Sequence, residues 1–538
     1  DIFSSLVTGG ARFDKKRFAG DMAVFNAPRA RKEPEASTSS APAAVPKSLD
    51  FFNTHADERA AAAEHDAAAA PAARPTAEPM RRDELPEFLR THHLKLTGTD
   101  VPLPLRSWAE LETRWKVAPW LYDNLLAGQW PEPTPIQCGA ISVMLGRRDL
   151  LAGAPTGSGK TLAFLLPILQ LLGAHASRGI RAVIVSPTRE LAQQIDEQLA
   201  KLARGQAFRT CLLTKSGSKA QAQLKKKNDI LITTPLRLVH AIEHEELDLS
   251  RVEYLVMDEA DRLLEQGFLE QTDTILAACS NPNLRKALFS ATLPAGVEAL
   301  AKTFMVDECR VLVGPKDAAT TTIDQRLEFC GAEDGKLHAL RALIQSGGMK
   351  PPVLLFVQSI QRARELFHEL VYDGLHVDVI HSERPKAQRE AVIQAFRRGE
   401  IWILICTELM ARGIDFKGVN LVINYDFPQT VQSYIHRIGR TGRAGKQGRA
   451  ITYFTRDDAP YLKSDVNVMR QSGCDVPEWM LKLPKPSKML KRKLRNAPIA
   501  RRDVRTAAGS STLGRRLAHR QRDMVQASKR RKHTDASR

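Results

Sequence analysis

Two series of short apolar segments, each separated from the next by a stretch of helical pattern, run along the chain from about residue 105. The first series comprises DLLAGA, RAVIVSP, TCLLT, DILITT, YLVMD, ALFSAT and CRVLV, and the second comprises PVLLFVQ, VDVIH, WILICT, LVINYD and AITYFT. Segments rich in β-branched residues that alternate with helices predict parallel sheets covered by helices on both faces. The expected fold class is therefore α/β, with two parallel-sheet domains in tandem.

A short linker and two extensions complete the predicted organisation. The segment GPKDAATTTIDQR separates the two series, so we place the first domain at 106–316, the linker at 317–324 and the second domain at 325–484. Residues 1–105 are predicted to be a largely disordered N-terminal extension, because long stretches of them consist of Ala, Pro, Glu and Ser. Residues 485–538 are predicted to form a disordered, basic C-terminal tail.

The positive charge of the chain is concentrated in that tail. The whole chain carries a formal charge of +18, and residues 485–538 contain eighteen Lys or Arg against three Asp or Glu, which is +15. A polycationic tail suits a phosphate backbone. The alternatives are a solvated tail and a nuclear import signal, for which KRRK at 529–532 is a candidate.

Composition excludes several classes of protein. No apolar run approaches the roughly 20 residues that a membrane helix needs, so no membrane partner is expected. The seven cysteines are scattered without a CxxC pair, which favours reduced thiols inside a cell over a disulfide framework or a zinc site. No signal peptide is visible near the start, and the chain begins at Asp1 rather than at a methionine, which leaves open whether residues precede it.

The segment LLAGAPTGSGKTLAFLLPIL has the pattern of a strand, a glycine-rich loop and a helix. Backbone N–H groups of such a loop, with the helix N-terminus, cradle phosphates. Lys160 can reach the β- and γ-phosphates, and the Thr161 hydroxyl can take a Mg²⁺ position. Ala154 stands where the usual GxxxxGK[ST] pattern has its first Gly. The predicted phosphate site consists of Ala154, Pro155, Thr156, Gly157, Ser158, Gly159, Lys160 and Thr161.

The segment YLVMDEADRLLEQ places three carboxylates at the end of a second buried strand. Acidic residues at a helix N-terminus can act as caps, which explains such a cluster in part. The phosphate site offers a stronger reason, since Asp258 can hold Mg²⁺ through water. Glu259 can then orient or activate the attacking water. Asp261 need not touch the metal, and we expect it to bond the neighbouring domain or to form a local cap.

These segments belong to an ordered set of nine motifs by which residues 108–484 resemble the DEAD-box RNA helicases. The motifs are PTPIQ, APTGSGKT, PTREL, TPLR, DEAD, SAT, LLFVQS, ARGID and HRIGRTGR. The resemblance implies two RecA-like domains with a monomeric core. It also implies an RNA-stimulated ATPase that uses ATP and Mg²⁺ to separate short RNA duplexes locally.

The resemblance implies that Gln137 recognises adenine. A side-chain amide can pair with both the donor and the acceptor on the adenine edge, which would make the enzyme specific for ATP. An aromatic side chain is expected to pack on the adenine ring, and Trp108 and Trp130 are the candidates. Core packing is the alternative for each of them.

The resemblance also assigns residues of the second domain. Arg440 and Arg443 are expected to stabilise charge on the transferring phosphoryl group from across a cleft, completing a catalytic set with Lys160, Asp258 and Glu259. Gly413 and Asp415 resemble the phosphate and ribose contacts of the family. The elements expected to couple the two domains are Asp261, Ser290, Thr292 and His436.

The RNA contacts implied by the resemblance are hydroxyls, guanidiniums and loop amides. Such groups suit phosphates and sugars rather than base edges, so little sequence preference is expected. Two departures from the family bear on these contacts: Lys386 stands at the Gln position of the QxxR motif, and KSGSKA has a single Gly where two are common. The expected RNA-binding residues are Pro187, Thr188, Arg189, Thr234, Arg237, Ser359, Arg389 and Thr407.

A narrower resemblance concerns the RNA substrate. The segments LLFVQSIQRARELFHEL, VDVIHSERP, GCDVPEW, ARFDKKRF and HHLKLTGTDVPLP are similar to those of nucleolar DEAD-box helicases of small-ribosomal-subunit assembly. That resemblance implies pre-ribosomal RNA (pre-rRNA) as substrate, pre-ribosomal assembly proteins as partners and a location in the nucleus and nucleolus. One alternative is an ATP-gated RNA clamp that turns over slowly as an assembly scaffold. A processive DNA helicase is disfavoured by the DEAD spelling and by Gln137.

Overall fold

The computed structural model contains two α/β domains, as the alternation of strands and helices predicts. No helix in the described part of the chain is both long and apolar enough to cross a bilayer. All seven cysteines are free thiols. The described residues are 80–128, 130–214, 224, 227–244, 246–264, 268–314, 322–407, 416, 418–443, 446–484, 487, 489, 499, 501 and 504.

The first domain is built on an eight-stranded sheet. Its strands are β1 (Leu94–Thr97), β2 (Leu150–Gly153), β3 (Ala182–Val185), β4 (Thr210–Leu213), β5 (Ile230–Thr233), β6 (Tyr254–Asp258), β7 (Arg285–Ser290) and β8 (Cys309–Val313). They are arranged in the order β1-β8-β2-β7-β6-β3-β5-β4. All neighbouring strands are parallel except β1, which pairs antiparallel with β8.

The second domain is built on a six-stranded parallel sheet. Its strands are β9 (Ile323–Phe329), β10 (Val353–Val357), β11 (Val377–Ile380), β12 (Ile403–Thr407), β13 (Leu421–Asn424) and β14 (Gly448–Phe454). They are arranged in the order β11-β12-β10-β13-β14-β9.

The helices follow the strands in the pattern of crossover connections. In the first domain they are α1 (Leu85–Thr91), α2 (Glu110–Thr113), α3 (Pro119–Ala127), α4 (Pro135–Leu145), α5 (Lys160–Leu172), α6 (Arg189–Leu202), α7 (Pro235–Glu243), α8 (Ala260–Leu263), α9 (Leu269–Ala278) and α10 (Ala295–Phe304). In the second domain they are α11 (Glu333–Gln345), α12 (Ile360–Tyr372), α13 (Lys386–Arg397), α14 (Val431–Ile438), a 3₁₀ turn (Arg456–Asp458), α15 (Ala459–Gln471) and α16 (Glu478–Leu481).

Each sheet has an apolar core on both faces. Within β3, Ala182 and Ile184 belong to one cluster of buried side chains, whereas Val183 and Val185 belong to another. Successive residues of a strand point to opposite faces, so the two clusters lie on the two sides of the sheet. The strands read as continuous apolar runs because both faces are covered.

Two predicted domain boundaries are wrong. The first domain does not begin at 106, because α1 and β1 precede that position and β1 pairs with β8, with Leu94 opposite Val313. A strand of four residues is too short to show its period, and its partner lies far along the chain. The predicted linker 317–324 also overlaps β9, which begins at Ile323 and pairs with β14. Residues 1–79 lie outside the described residues.

The basic tail is not wholly separate from the second domain. The side chain of Arg501 is buried there, and its guanidinium contacts Glu333 at 2.8 Å and Asp458 at 2.6 Å. Val504 is also buried, and its backbone N–H donates to Glu365 Oε2 at 2.8 Å. The prediction of a disordered tail beginning at residue 485 is therefore wrong for these two positions, whereas residues 505–538 lie outside the described residues.

Candidate active site and RNA interface

The glycine-rich loop joins β2 to α5 at the carboxyl edge of the first sheet. Gly157 and Gly159 have φ angles of 77° and 87°, a region that favours glycine. A Cβ on Gly159 would lie 2.5 Å from Nε2 of Gln137, so this position also lacks room for a side chain. Ala154, which replaces the usual Gly, packs its methyl group into the core. The loop thus leads directly to a helix N-terminus, where free N–H groups can bind phosphate.

Lys160, the first residue of α5, is held by the loop itself. Its ammonium group donates to the carbonyl oxygens of Ala154 at 2.7 Å and Pro155 at 2.9 Å. Burial lowers the pKa of Lys160 to about 8, although the charges of Asp258 and Glu259 oppose this shift. A phosphate in the loop would give this desolvated cation a strong negative partner.

Asp258 and Glu259 form a buried acidic pair at the end of β6. Glu259 adopts a left-handed conformation with φ of 51°, which is uncommon for a residue other than glycine. Its backbone N–H donates to Asp258 Oδ1 at 3.0 Å, while its Oε2 is buried without a hydrogen-bond partner among the described residues. Burial and the neighbouring charge of Glu259 raise the pKa of Asp258 to about 7. A bound cation would stabilise this concentration of negative charge.

The residues around the pair suit a Mg²⁺ ion. Asp258 supplies a carboxylate and Thr161, on the first turn of α5, supplies a hydroxyl, and Mg²⁺ prefers oxygen ligands. β2 and β6 are separated in the sheet by β7 alone. Their carboxyl ends are therefore roughly 10 Å apart, a distance that a hydrated ion and a phosphate can span.

Gln137 ties the helix α4 to the phosphate loop. Its Nε2 donates to the Gly159 carbonyl at 3.0 Å, and its Oε1 accepts from the Thr134 backbone N–H at 2.8 Å. The first bond uses one of the two N–H groups of the amide, and the second uses one of the two lone pairs of its oxygen. One N–H and one lone pair are left for an adenine edge. The side chain is only 2% exposed, so the surrounding protein holds its orientation.

The two tryptophans proposed to pack on adenine differ in position. Trp108 is 4% exposed within the core of the first domain, and its indole N–H donates to the Trp130 carbonyl at 2.9 Å. This packing matches the alternative interpretation of Trp108 as a core residue, and its role as an adenine contact stays a prediction. Trp130 is half-buried against the same core and remains a candidate.

The predicted arginine pair of the second domain lies at the phosphate loop. Thr156 Oγ1 donates to the Gly439 carbonyl at 2.8 Å. A Cβ on Gly157 would lie 2.9 Å from Cγ of Arg443, so the arginine side chain covers the loop. Arg440 is buried, and its Nε donates to the His436 carbonyl at 3.0 Å. Arg443 therefore lies where charge on a phosphate could be stabilised from the second domain, and Arg440 directly follows Gly439, which contacts the loop.

Asp261 links the two domains. Its Oδ2 accepts from Thr292 Oγ1 at 2.5 Å and lies 2.8 Å from His436 Nε2 of the second domain. Burial would raise the pKa of Asp261, but the charge and hydrogen bond of His436 and the Thr292 hydroxyl together hold it well below its usual range. Ser290 Oγ accepts from the Thr292 backbone N–H at 3.3 Å. The four predicted coupling residues are thus brought together by α8, the end of β7 and α14.

The eight predicted RNA contacts all lie at ends of strands or on the helices that follow them. Thr188 and Ser359 are N-cap residues, whose hydroxyls accept from backbone N–H groups of the first turn. Thr234 is the N-cap residue of α7, and Thr407 ends β12. Carboxyl ends of parallel strands share one edge of a sheet, so in each domain these groups lie along one edge, which in the first domain is the edge that carries the phosphate loop. The remaining four are Pro187, Arg189, Arg237 and Arg389.

One predicted RNA contact already has a protein partner across the two domains. Arg389 on α13 forms an ion pair with Glu190 on α6 at 3.0 Å. RNA phosphates at this position would compete with the Glu190 carboxylate for the guanidinium.

Sequence comparison gives the family. Residues 134–300 match the DEAD/DEAH box helicases, and residues 335–445 match the helicase conserved C-terminal domain. The chain is 45% identical to the ATP-dependent RNA helicase ROK1 of Eremothecium gossypii, in an alignment covering 99% of this chain and 97% of that protein. The chain belongs to the DEAD-box ATP-dependent RNA helicases.

Further relatives agree with this assignment. The helicase is 50% identical to the ATP-dependent RNA helicase ROK1 of Saccharomyces cerevisiae over 74% of this chain and 73% of that protein. A structure of Mss116p bound to ssRNA and AMP-PNP superposes with a TM-score of 0.62 at 27% identity, covering 75% of this chain and 84% of that chain. The protein is thus an ATP-hydrolysing enzyme with the two-domain fold predicted from its sequence.

Parts of the predicted helicase site lie outside the described residues. These are Gly413, Asp415 and the side chain of Lys386. Their roles, like those of the other site residues of the helicase, stay predictions.

The structure adds two residues to the site that sequence reasoning missed. Glu190 pairs with Arg389, and Gly439 receives the hydrogen bond from Thr156. Any Cβ on Gly439 would lie 1.9 Å from Thr156 Oγ1, so the close approach of the two domains requires glycine there. Both residues fall inside the motifs PTREL and HRIGRTGR, and this placement is the signal that could have identified them.

Proposed function

We propose that this DEAD-box helicase acts on pre-rRNA during assembly of the small ribosomal subunit, in the nucleolus and together with pre-ribosomal assembly proteins. The support is the similarity of its second-domain and N-terminal segments to nucleolar helicases of that process. RNA-stimulated ATP hydrolysis would drive local duplex separation or the remodelling of RNA–protein complexes.

In the proposed chemistry, each residue of the first domain has one task. Lys160 and the loop N–H groups would bind the β- and γ-phosphates, and Asp258 and Thr161 would hold Mg²⁺. The ion, when bound, neutralises negative charge that develops on the phosphates. Glu259 orients the attacking water, which is consistent with the buried, unpartnered Oε2 of this residue.

The second domain completes the proposed site. Arg443 and Arg440 stabilise charge on the transferring phosphoryl group, because the contacts of Thr156 and Arg443 bring this motif against the phosphate loop. The contact of Asp261 with His436 would make closure of the two domains depend on the state of the ATP site.

The buried, unpartnered Oε2 of Glu259 is the observation that carries the proposed hydrolysis, and Glu259→Gln is the variant that tests it. The amide keeps the shape of the side chain but loses the charge that orients water. ATP and RNA should therefore stay bound in a closed complex while phosphate release falls strongly. Turnover near the parental rate would remove Glu259 from this role.

The second candidate function is an ATP-gated RNA clamp with slow turnover. The direct contacts between the two domains favour it, since they would stabilise a closed state. RNA-stimulated phosphate release should be measured beside unwinding of a short duplex. Tight ATP-dependent RNA binding with negligible unwinding would select the clamp, whereas unwinding that tracks phosphate release would select the helicase.

Crosslinking in cells tests the proposed substrate. RNA crosslinked to the tagged protein should be enriched in pre-rRNA of the small subunit, and the protein should localise to the nucleolus. Enrichment of another RNA class would overturn the ribosomal role and leave the enzymatic assignment intact.

A further inference from the structure

A cavity rich in arginine opens at the amino-terminal edge of the first sheet. Its volume is about 610 Å³. Arg147 precedes β2, Arg285 begins β7 and Arg181 precedes β3. These three strands belong to a run of four neighbours in the sheet, β2-β7-β6-β3. The five arginines that line it are Arg147, Arg178, Arg181, Arg251 and Arg285.

This cavity lies on the opposite side of the domain from the ATP site. The phosphate loop and Asp258 follow the carboxyl ends of β2 and β6, whereas the cavity is formed at the amino ends of the same group of strands. Strands of this length separate the two edges by roughly 13 to 20 Å. A ligand in the cavity would therefore not compete with ATP or with RNA at the carboxyl edge.

The positive charge of the cavity is largely uncompensated. Arg181 is 8% exposed and pairs with Asp229 at 2.9 Å, and Glu253 is the acidic residue of the lining. Within the described part of the chain, the other four arginines form no ion pair with a carboxylate. The buried Nε of Arg181 also has no hydrogen-bond partner among the described residues. Five positive charges thus face two negative ones.

The lining indicates which anion the cavity suits. Guanidinium groups bind phosphate in a bidentate manner, and the neutral side chains of Ser250, Asn281 and Asn283 can bond phosphate or sugar oxygens. Tyr254, the one aromatic residue of the lining, is 3% exposed and cannot stack on an unpaired base. None of the lining residues is aliphatic, although protein partners are usually anchored by apolar side chains.

We propose that this arginine cavity binds the phosphate backbone of a double-stranded RNA segment. The segment would be held at a second site, apart from the strand that the two domains act on. The cavity would anchor a structured RNA while the domains open and close on a neighbouring strand. The proposal rests on membership of the RNA helicases and does not depend on which RNA is the substrate.

A triple variant of the full chain, Arg147→Gln, Arg251→Gln and Arg285→Gln, tests this proposal. The control is a triple variant of three exposed arginines of the same domain outside the cavity, Arg90→Gln, Arg204→Gln and Arg209→Gln. Binding to a duplex with a single-stranded overhang and to a short single strand is measured across salt concentrations, with unfolding temperature as a check on folding.

The cavity variant should bind the overhang duplex about tenfold more weakly at low salt, and its plot of log affinity against log salt should be flatter by about 2 to 3 in slope. Its affinity for the short single strand, and its ATPase rate at saturating single strand, should match the control. If the cavity variant and the control variant give the same slope of log affinity against log salt on the duplex, the proposal is overturned. Unchanged RNA binding together with lost binding to polyglutamate would also overturn it and assign the cavity to an acidic protein partner.

Discussion

Replacing Arg501 should destabilise the second domain, although this residue lies in a segment that composition alone assigns to a disordered tail. The side chain is 2% exposed. Its guanidinium donates to Glu333 Oε1 at 2.8 Å, to Asp458 Oδ1 at 2.6 Å and, through Nε, to Gln358 Oε1 at 2.8 Å. Around it, Lys336 and Arg362 both contact the buried carboxylate of Asp426.

The magnitude follows from the balance of charge in this cluster. Three cations, Lys336, Arg362 and Arg501, face three carboxylates, Glu333, Asp426 and Asp458. Arg501→Met would keep most of the volume but leave one buried negative charge without its partner. Breaking a buried ion pair in this way costs about 3–5 kcal/mol. For a domain of this size, 1 kcal/mol corresponds to a shift of about 2–4 °C, so the unfolding temperature should fall by roughly 6 to 20 °C.

The assay is thermal unfolding of the full chain, followed by a probe of the second domain. Arg398→Met is the matched control, because it also removes one arginine of the second domain that is paired with a carboxylate. The Arg398 side chain is 60% exposed beside Glu400, so the unfolding temperature of the Arg398→Met variant should stay near the parental value. The unfolding temperature of Arg501→Lys should lie between those of Arg501→Met and the parental protein. An ammonium group keeps the positive charge but lacks the planar guanidinium that reaches three acceptors.

The pH dependence has a definite sign. Burial alone would raise the pKa of Asp426, but Lys336, Arg362 and Arg501 hold it well below its ordinary value of 3.8. The contribution of the cluster should therefore be present above that value and be lost as the pH falls below it. A shift for Arg501→Met of less than about 2 °C at neutral pH, with truncation after residue 498 equally harmless, would refute the burial of this residue in solution.

Three further outcomes are expected. Gln137→Ala should reduce the preference for ATP over GTP. The Gln137 amide is expected to reject GTP because the guanine edge would leave its polar groups unpaired, and alanine lacks those groups. If the variant still strongly prefers ATP in competition binding, the adenine contact lies elsewhere. Arg443→Ala should reduce hydrolysis by about 10³-fold with little effect on ATP affinity, and equal losses in both, measured by phosphate release and nucleotide titration, would indicate a ground-state contact. Residues 505–538 contain ten Lys or Arg, two Asp and no aromatic residue. Deleting this segment should weaken RNA binding at low salt and flatten the plot of log affinity against log salt. An unchanged slope of that plot would favour a role of the segment in nuclear import or protein docking.

The boundary of that deletion shows where composition misleads. Residues 485–504 and 505–538 are both basic, and nothing local distinguishes Arg501 from its neighbours. Its burial depends on Glu333 and Asp458, which are far away in the chain and meet only when the second sheet has formed. A truncation after residue 484 would therefore combine loss of RNA attraction with loss of domain stability.

The fold class and the strand–loop–helix structure of the phosphate loop could be predicted because short stretches of sequence determine them. Continuous apolar strands alternating with helices report a sheet covered on both faces, and the loop from Ala154 to Thr161 carries its own turn and helix start. The strands β1 and β9 escaped prediction because each is recognisable mainly by a partner that lies far away in the chain.

The arrangement of the site depended on the folded chain for a similar reason. Trp108 and Trp130 look alike as apolar residues before the same motif, yet packing buries the first and leaves the second half-exposed. The pairing of Arg389 with Glu190 joins side chains of two domains. The arginine cavity collects residues from the amino ends of adjacent strands that are distant in sequence. Periodicity and motifs act over a few residues, whereas burial and charge pairing are properties of surfaces that exist only after the sheets have assembled.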